Sequence, residues 1–268
     1  MVATIDPGTF LGHRLDISGL DLSTAFRDRP LDGDTLRCLQ YMHDIESHTV
    51  CYLRDTLVTQ AHEDPRLTTF LTMWNYEEHW HGEALAAVLE AHDRPGGPER
   101  VAQVRKQLRR RQRLRPAAFL IGSIIVPEKV AVHMTWGAVN ELTTQAGYAQ
   151  LARKAGHPVL SELLRRIMRQ EGRHVDFYTN EARTRLARSH ATKRVTRLAL
   201  RRFWRPVGHG VRPESEVGFL ITHLFGDAAG REAAARIDRH VDRLPGMGGL
   251  HLVRSALERY GAAPAKAR

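Results

Sequence analysis

The chain has 268 residues, of which 42% are hydrophobic and 26% are charged. This is an ordinary composition for a globular protein with a sizeable buried core, and it excludes a disordered or collagen-like chain. Lys and Arg total 40 against 30 Asp and Glu, which gives a formal net charge of +10. An excess of this size predicts an anionic partner.

The amino-terminal and apolar segments predict neither export nor membrane insertion. The longest apolar run, residues 117–126, has ten residues, about half of what a membrane-spanning helix needs. The first ten residues have no cationic start followed by an apolar stretch, so we expect a cytoplasmic protein without a signal peptide. Cys38 and Cys51 fall on one predicted helix, roughly 20 Å apart, which is too far for a disulfide.

Beyond residue 33 the apolar residues recur at helical spacing, and we predict an all-α fold. The first long helix is predicted over residues 34–61. Asp64 and Pro65 predict the N-cap and first position of a second helix that ends near His92. A basic helix is predicted over residues 98–115. The buried face of the first helix is predicted to consist of Leu36, Leu39, Met42, Val50, Leu53 and Leu57.

The third long helix is predicted over residues 127–155, ended by Gly156 in a left-handed conformation. Pro158 opens the fourth, which runs to about residue 189. A break at Gly208 and Gly210 then precedes two or three short helices within residues 213–259. Four long helices with a long connection between the second and third predict a ferritin-like four-helix bundle. We therefore divide the chain into an extension (1–33), the bundle (34–190) and a basic helical extension packed on it (191–268).

The motif Glu-x-x-His occurs once in the second predicted helix and once in the fourth. Glu78 and His81 form the first copy, and Glu171 and His174 form the second. Residues three apart in a helix lie about 60° apart and one turn along, so each copy presents a carboxylate and an imidazole to one point. Each copy can therefore supply two ligands to the same metal site.

The other two long helices each carry one glutamate on the face predicted to be buried. Glu46 lies seven residues from both Leu39 and Leu53, and Glu141 has an apolar or aromatic residue at both of the same offsets. A buried carboxylate needs a compensating cation. Four such helices indicate a dinuclear metal site with the ligands Glu46, Glu78, His81, Glu141, Glu171 and His174.

Carboxylate oxygens with one imidazole per metal suit Fe or Mn, whereas a zinc site would more usually collect Cys or several His. We predict two iron ions, with Fe/Mn as the alternative. A reduced di-iron centre activates O₂, so the ligand set indicates an oxidoreductase acting on an unactivated substrate.

The motifs around these ligands resemble those of the soluble acyl-[acyl-carrier-protein] desaturases, the type 2 fatty acid desaturase family of the ferritin-like di-iron proteins. The likeness covers roughly residues 34–190 and includes all six ligands. It rests on four segments, which are Tyr41-Met42-His43-Asp44-Ile45-Glu46, Glu77-Glu78-His79-Trp80-His81-Gly82, Asn140-Glu141-Leu142-Thr143-Thr144 and Gln170-Glu171-Gly172-Arg173-His174.

The resemblance implies an O₂-dependent desaturation of a fatty acyl chain on a carrier protein, in a homodimer. It also implies that Thr144 supplies a hydroxyl beside the O₂ site. The apolar segment over residues 119–126 is predicted either to wall an acyl channel or to pack in the core. Trp80 stands where the family has Arg, and Gln170 stands where it has Asp. Both positions orient a ligating histidine and tune the metals.

Two stretches concentrate the positive charge. Residues 101–115 contain seven Lys or Arg and residues 182–205 contain nine, and neither stretch contains an acid. Complementary charge favours the acidic partners that the resemblance implies, acyl carrier protein and a ferredoxin-type reductant. The alternatives are nucleic acid or membrane phosphates, although aromatic residues for base stacking are nearly absent, and a purely solvated surface.

Three other functions use the same ligand set and stay open. A hydroxylase or N-oxygenase would act on a different substrate, an iron-storage protein would oxidise iron for deposition, and a metal-binding bundle would have lost catalysis. The remaining histidines of the first two helices, His43, His48, His62, His79 and His92, are predicted to face solvent.

Overall fold

The computed structural model describes residues 14–108, 114–117, 120 and 129–261. Apart from turns, short irregular segments and one isolated bridge between His209 and Arg212, these residues are helical, which confirms the all-α class for the described chain. The first helices are α1 (Leu22–Asp28), α2 (Gly33–Glu46), α3 (Thr49–Leu57), a 3₁₀ helix (Gln60–Glu63), α4 (Pro65–Glu90) and α5 (Gly97–Gln107). The later helices are α6 (Lys129–Ala155), α7 (Pro158–Ala187), α8 (His190–Phe203), α9 (Glu214–Phe225), α10 (Ala228–Asp242) and α11 (Leu252–Gly261).

The chain divides into two compact units. The first consists of Ala3–Val130 and Leu151–Gln170, and the second of Ala131–Gln150 and Glu171–Arg268. The long helices α6 and α7 contribute residues to both units. Among the described residues, no helix combines the length and apolar character that crossing a bilayer requires.

In the first unit α2 packs against α4, and α3 also contacts α4. The predicted single helix over residues 34–61 is wrong, because the chain turns at Ser47 and His48 immediately after Glu46. The Thr49 hydroxyl donates to the Glu46 carbonyl at 2.7 Å. A Cβ on Gly82 would lie only 2.9 Å from Ser47 Oγ. The absence of a side chain at Gly82 therefore allows the turn to pack closely against α4.

The turn changes which residues of α3 are buried. Asp55 and Thr56 lie in the interior, whereas Val50, predicted to be buried, is 41% exposed and Leu53 and Leu57 are half-buried. The predicted apolar face therefore extends only to the end of α2, because α3 begins after the turn as a separate helix with its own axis. Cys38 and Cys51 are both free, as predicted, although they lie on separate helices.

A partly buried salt bridge joins α5 to α2. The Arg100 guanidinium donates to both carboxylate oxygens of Asp44, at 2.9 and 2.6 Å. His43 Nδ1 lies 3.3 Å from the same carboxylate. The prediction that His43 and His48 face solvent is therefore wrong, since both are buried. Burial and the nearby arginines lower the pKa of His48 to about 4, which keeps its imidazole neutral.

The helix boundaries drawn from capping residues agree with the structure. Asp64 accepts hydrogen bonds from the amides of Arg66 and Leu67 at the start of α4. Gly156 has a φ of +57° and ends α6. The predicted basic helix over 98–115 is shorter than expected, since α5 ends at Gln107, and residues 109–113 lie outside the described chain.

In the second unit the close approach of α6 and α7 depends on a glycine. A Cβ on Gly137 would lie 2.4 Å from two ring carbons of Tyr178, which is fully buried. Gly137 is one turn before Glu141, and Tyr178 is one turn after His174. The contact therefore sets the spacing of two helices that carry predicted metal ligands.

The carboxy-terminal helices of the second unit pack on one another, with α9, α10 and α11 in mutual contact. These are the short helices predicted for residues 213–259. The Tyr260 hydroxyl donates to Glu214 at 2.6 Å and so links α11 to α9. At the end of α8, the Trp204 indole donates to the Asn140 side chain at 3.2 Å, beside Glu141 on α6.

Candidate metal centre

The first unit buries three of the predicted ligands. Glu46 is the last residue of α2, and Glu78 and His81 lie one turn apart on α4. All three are buried. His81 Nδ1 lies 3.9 Å from the Glu78 carboxylate, so the two side chains of this Glu-x-x-His motif face the same point.

The other nitrogen of His81 is held by Gln170. His81 Nε2 lies 2.8 Å from Gln170 Oε1, and both side chains are buried. Because the amide oxygen can only accept, the Nε2–H group donates and the lone pair is left on Nδ1, the nitrogen that faces Glu78. Gln170 thus selects the tautomer of His81 that can bind a metal through Nδ1.

The second unit buries the other three predicted ligands. Glu141 lies on α6, and Glu171 and His174 lie one turn apart on α7. His174 Nδ1 is 3.1 Å from the Glu171 carboxylate and 3.9 Å from that of Glu141. As in the first Glu-x-x-His motif, Nδ1 is the imidazole nitrogen that faces the carboxylates.

These six side chains form two groups of four, and within each group one ligand atom per residue lies within 4.8 Å of the others. The first group is Glu46, Glu78, His81 and Glu171, and the second is Glu78, Glu141, Glu171 and His174. Glu78 and Glu171 belong to both groups. The six predicted ligands, and no other described residues, make up these two clusters.

The donor set fits two divalent cations. Four carboxylates share this buried cluster, and ionised carboxylates in a dry interior repel one another unless cations or protons compensate them. Two divalent cations would balance four negative charges. Three carboxylates and one imidazole per group form an oxygen-rich site that suits Fe or Mn better than zinc.

Both cysteines lie outside this ligand set. Burial raises the pKa of the Cys38 thiol to about 12, so it stays protonated and does not act as a thiolate ligand.

No protein-family model, curated protein or solved structure matches this chain.

Trp80 and Gln170, the two positions at which the sequence departs from the motifs it was predicted to resemble, have identifiable neighbours. Gln170 accepts from His81, as described above. Trp80 is half-buried, and the Arg14 guanidinium lies 3.9 Å above its ring. A cation from the amino-terminal segment therefore occupies the neighbourhood of position 80, where the family motif itself has Arg. Arg14 has no sequence signal that would have identified it.

Thr144, predicted near the O₂ site, is half-buried on α6, three residues after Glu141. Its neighbour Thr143 is buried and donates to the Val139 carbonyl at 2.7 Å. Glu77, which precedes Glu78 as Gln170 precedes Glu171, is fully buried. Most of the segment predicted to wall an acyl channel lies outside the described residues.

Replacing Gln170 by Leu should weaken metal binding about 10- to 100-fold, because the buried His81 Nε2–H loses its acceptor and the ring its orientation. Gln170→Glu keeps an acceptor at this position, so its metal affinity should fall by no more than about 10-fold. Competition of the metal-free proteins with a chelator for Fe(II) and Mn(II) measures both. Equal affinity of wild type and Gln170→Leu would show that the hydrogen bond does not orient the ligand.

Proposed function

We propose that this chain is a ferritin-like di-iron protein that uses O₂ to desaturate a fatty acyl chain carried by an acyl carrier protein. The observation that carries the proposal is the pair of buried four-ligand groups that share Glu78 and Glu171. In this arrangement α2, α4, α6 and α7 are the four helices of the bundle, because each contributes at least one ligand.

Glu46 and His81 would hold one iron, and Glu141 and His174 the other. Glu78 and Glu171 would contact both, since each belongs to both groups. When bound, two reduced irons supply electrons that convert O₂ into an oxidant of C–H bonds. The resident side chains keep the site dry and fix the ligand geometry, through Gln170 at His81 and through the Gly137 and Tyr178 contact between the helices of Glu141 and His174.

The overall reaction balances with an external reductant. The –CH₂–CH₂– unit of the acyl chain loses two hydrogen atoms, that is two protons together with two electrons, and becomes –CH=CH–. A ferredoxin-type reductant supplies two further electrons, two protons are taken up, and O₂ leaves as two water molecules. In the proposed reaction the hydroxyl of Thr144, which is half-buried one turn after Glu141, would pass a proton.

The proposal of an acyl substrate on a carrier protein is based on the four motif segments and on the charge of the protein. With a formal charge of +10, the protein attracts acidic proteins over a long range, and both carrier proteins and ferredoxins are acidic. Not all the cations of residues 101–115 are available for docking. Arg105 donates to the Ser47 carbonyl at 2.9 Å, and Arg115 pairs with the buried Asp55 at 3.0 Å.

The test uses the full chain loaded anaerobically with Fe(II), a ferredoxin and its reductase, and saturated acyl chains on acyl carrier protein. Metal analysis should give close to two irons per chain, and oxygen uptake should accompany loss of two hydrogens from the chain, measured by mass spectrometry. Glu171→Gln serves as the inactive control.

Each alternative function gives a different product. An acyl chain that gains one oxygen atom would indicate a hydroxylase instead of a desaturase. Iron oxidation without any change in the acyl chain would favour iron handling. Less than half a metal per chain after reconstitution would overturn the di-iron proposal.

A further inference from the structure

Residues 14–32 form a strap along the first unit, and this strap includes α1. Two of its apolar side chains, Leu15 and Leu31, are buried. Arg166 on α7 donates hydrogen bonds to two backbone carbonyls near the start of the strap, at 2.8 and 3.1 Å. Because these anchors are few, part of the strap can detach while the long helices stay folded.

Two histidines hold α1 through a single aromatic ring. The half-buried His92 lies just after the end of α4, and the buried His157 directly precedes α7. Phe26 on α1 is 1% exposed, and its ring centroid lies 4.9 Å from that of His92 and 4.8 Å from that of His157. The two imidazoles therefore supply part of the surroundings that bury Phe26.

The contact between His92 and the strap requires a neutral imidazole. His92 Nδ1 lies 2.8 Å from the Val88 carbonyl, which can only accept, so this nitrogen carries the hydrogen. His92 Nε2 accepts a hydrogen bond from the Leu31 amide at 3.1 Å. A second proton would occupy the Nε2 lone pair, and the Leu31 N–H group would then face another N–H group. The strap therefore loses this hydrogen bond when His92 is protonated.

His157 must also be neutral in this arrangement. Its Nδ1 accepts from the buried amide of Leu160 at 3.3 Å, in the first turn of α7. Burial lowers the pKa of His157, although a hydrogen bond with the backbone of Ala25 opposes this, and the positive charges of Arg29 and His92 lower it further. Because the pKa is lowered in the folded chain, the stability that this neutral imidazole contributes is lost as the pH falls below about 6.5.

A proton on either imidazole would have no close counter-ion. Within the described chain neither His92 nor His157 forms an ion pair with a carboxylate. The acids of the adjoining segments are all exposed to solvent, and they are Asp28, Asp32, Glu90 and Asp93. The cations of these segments, which would disfavour further positive charge, are Arg29, Arg94 and Lys154. The Phe26 ring attracts cations, but it cannot replace the acceptors that the two amides lose.

We propose that α1 is a pH-sensitive strap that detaches from the ends of α4 and α7 when His92 and His157 take up protons. At neutral pH both imidazoles accept hydrogen bonds from backbone amides, and Phe26 is buried against them. In mildly acidic solution both acceptors are lost, and Phe26 leaves its site. This inference is independent of the metal centre and of the proposed oxidase activity.

The test follows hydrogen exchange of the full chain by mass spectrometry at about pH 7.5 and about pH 5.5, on either side of an ordinary histidine pKa. Exchange rates are corrected for the intrinsic effect of pH on amide exchange. Protection of residues 22–31 should fall at least about 10-fold at the lower pH, whereas protection of α10 should not change. In an NMR titration of wild type, protonation of His92 and His157 should coincide with this loss.

The double variant His92→Gln with His157→Asn removes both titrating groups and keeps both acceptors. The amide oxygen of Gln can replace Nε2 of His92, and that of Asn can replace Nδ1 of His157. This variant should keep its protection at about pH 5.5. The matched control is His190→Gln with His240→Gln, two exposed histidines of the second unit, and it should lose protection as wild type does.

Three results would overturn the proposal. Unchanged protection of residues 22–31 in wild type at the lower pH would show that the strap stays attached. An equal loss in wild type and in the double variant would assign the acid sensitivity to other groups. A loss in α10 as large as that in α1 would show general acid unfolding and not release of a strap.

Discussion

Replacing Glu171 by Gln should remove stable metal binding and leave the fold intact. Glu171 is fully buried and belongs to both four-ligand groups, so its charge would contribute to both proposed metal positions. The neutral amide keeps the size of the side chain and is a much poorer ligand for a hard cation. Metal content should fall from close to two per chain to below one.

The thermal stability of the variant gives an independent readout. Without metal, four clustered carboxylates disfavour the folded state, so Glu171→Gln should melt at the same temperature as metal-free wild type or higher. Anaerobic Fe(II) or Mn(II) should stabilise wild type, by about 2.7 kcal/mol when the metal is present at 100 times its Kd. The variant should lose this stabilisation.

Glu162→Gln is the matched control, because Glu162 lies on the same helix, pairs with Arg165 and Arg166 near the surface and belongs to neither group. It should keep the full metal-induced rise in melting temperature. A rise of wild-type size in Glu171→Gln would contradict the assignment of Glu171 as a ligand.

Replacing Gly137 by Ala should destabilise the protein by about 1–3 kcal/mol through overpacking. The new Cβ would lie 2.4 Å from two ring carbons of Tyr178, and the buried ring has no solvent to move into. Because the helices α6 and α7 must then separate beside Glu141 and His174, metal affinity should fall as well. Denaturant unfolding and chelator competition measure the two effects.

Gly172→Ala is the matched comparison, and we expect it to change the stability in the opposite direction. An added Cβ there would meet only Gln145 Nε2, at an ordinary 3.5 Å. A helix-interior glycine costs roughly 0.5–1 kcal/mol relative to alanine, so this variant should be as stable as wild type or slightly more stable. Tyr178→Phe should not rescue Gly137→Ala, because the collision involves ring carbons and not the hydroxyl. Destabilisation of both alanine variants by the same amount would contradict the close-packing explanation.

Local spacing was sufficient to identify the six ligand candidates. Two residues three positions apart in a helix share a face whatever the helix packs against, so Glu78 with His81 and Glu171 with His174 could be paired from the sequence. The capping signals at Asp64 and Gly156 are equally local, because they act on backbone groups within one turn. The pairing within each motif and the two capping predictions agree with the structure for that reason.

The helix break after Glu46 could not be predicted from its neighbours. Ser47 and His48 are not strong helix breakers, and the apolar spacing continues through them. The turn is accommodated at Gly82, which is distant in sequence. Its consequence, the burial of Asp55 instead of Val50, follows only once that contact is known.

The sequence by itself determined the helical class, the candidate ligand residues and the face of each helix that carries them, because periodicity and capping are short-range. Tertiary structure alone decided that Glu78 and Glu171 belong to both groups, and that Gln170 orients His81 from 89 residues away. It also decided that Arg14 covers Trp80. Such contacts depend on how helices pack, and packing depends on side-chain shapes across the whole interior and not on spacing along one helix.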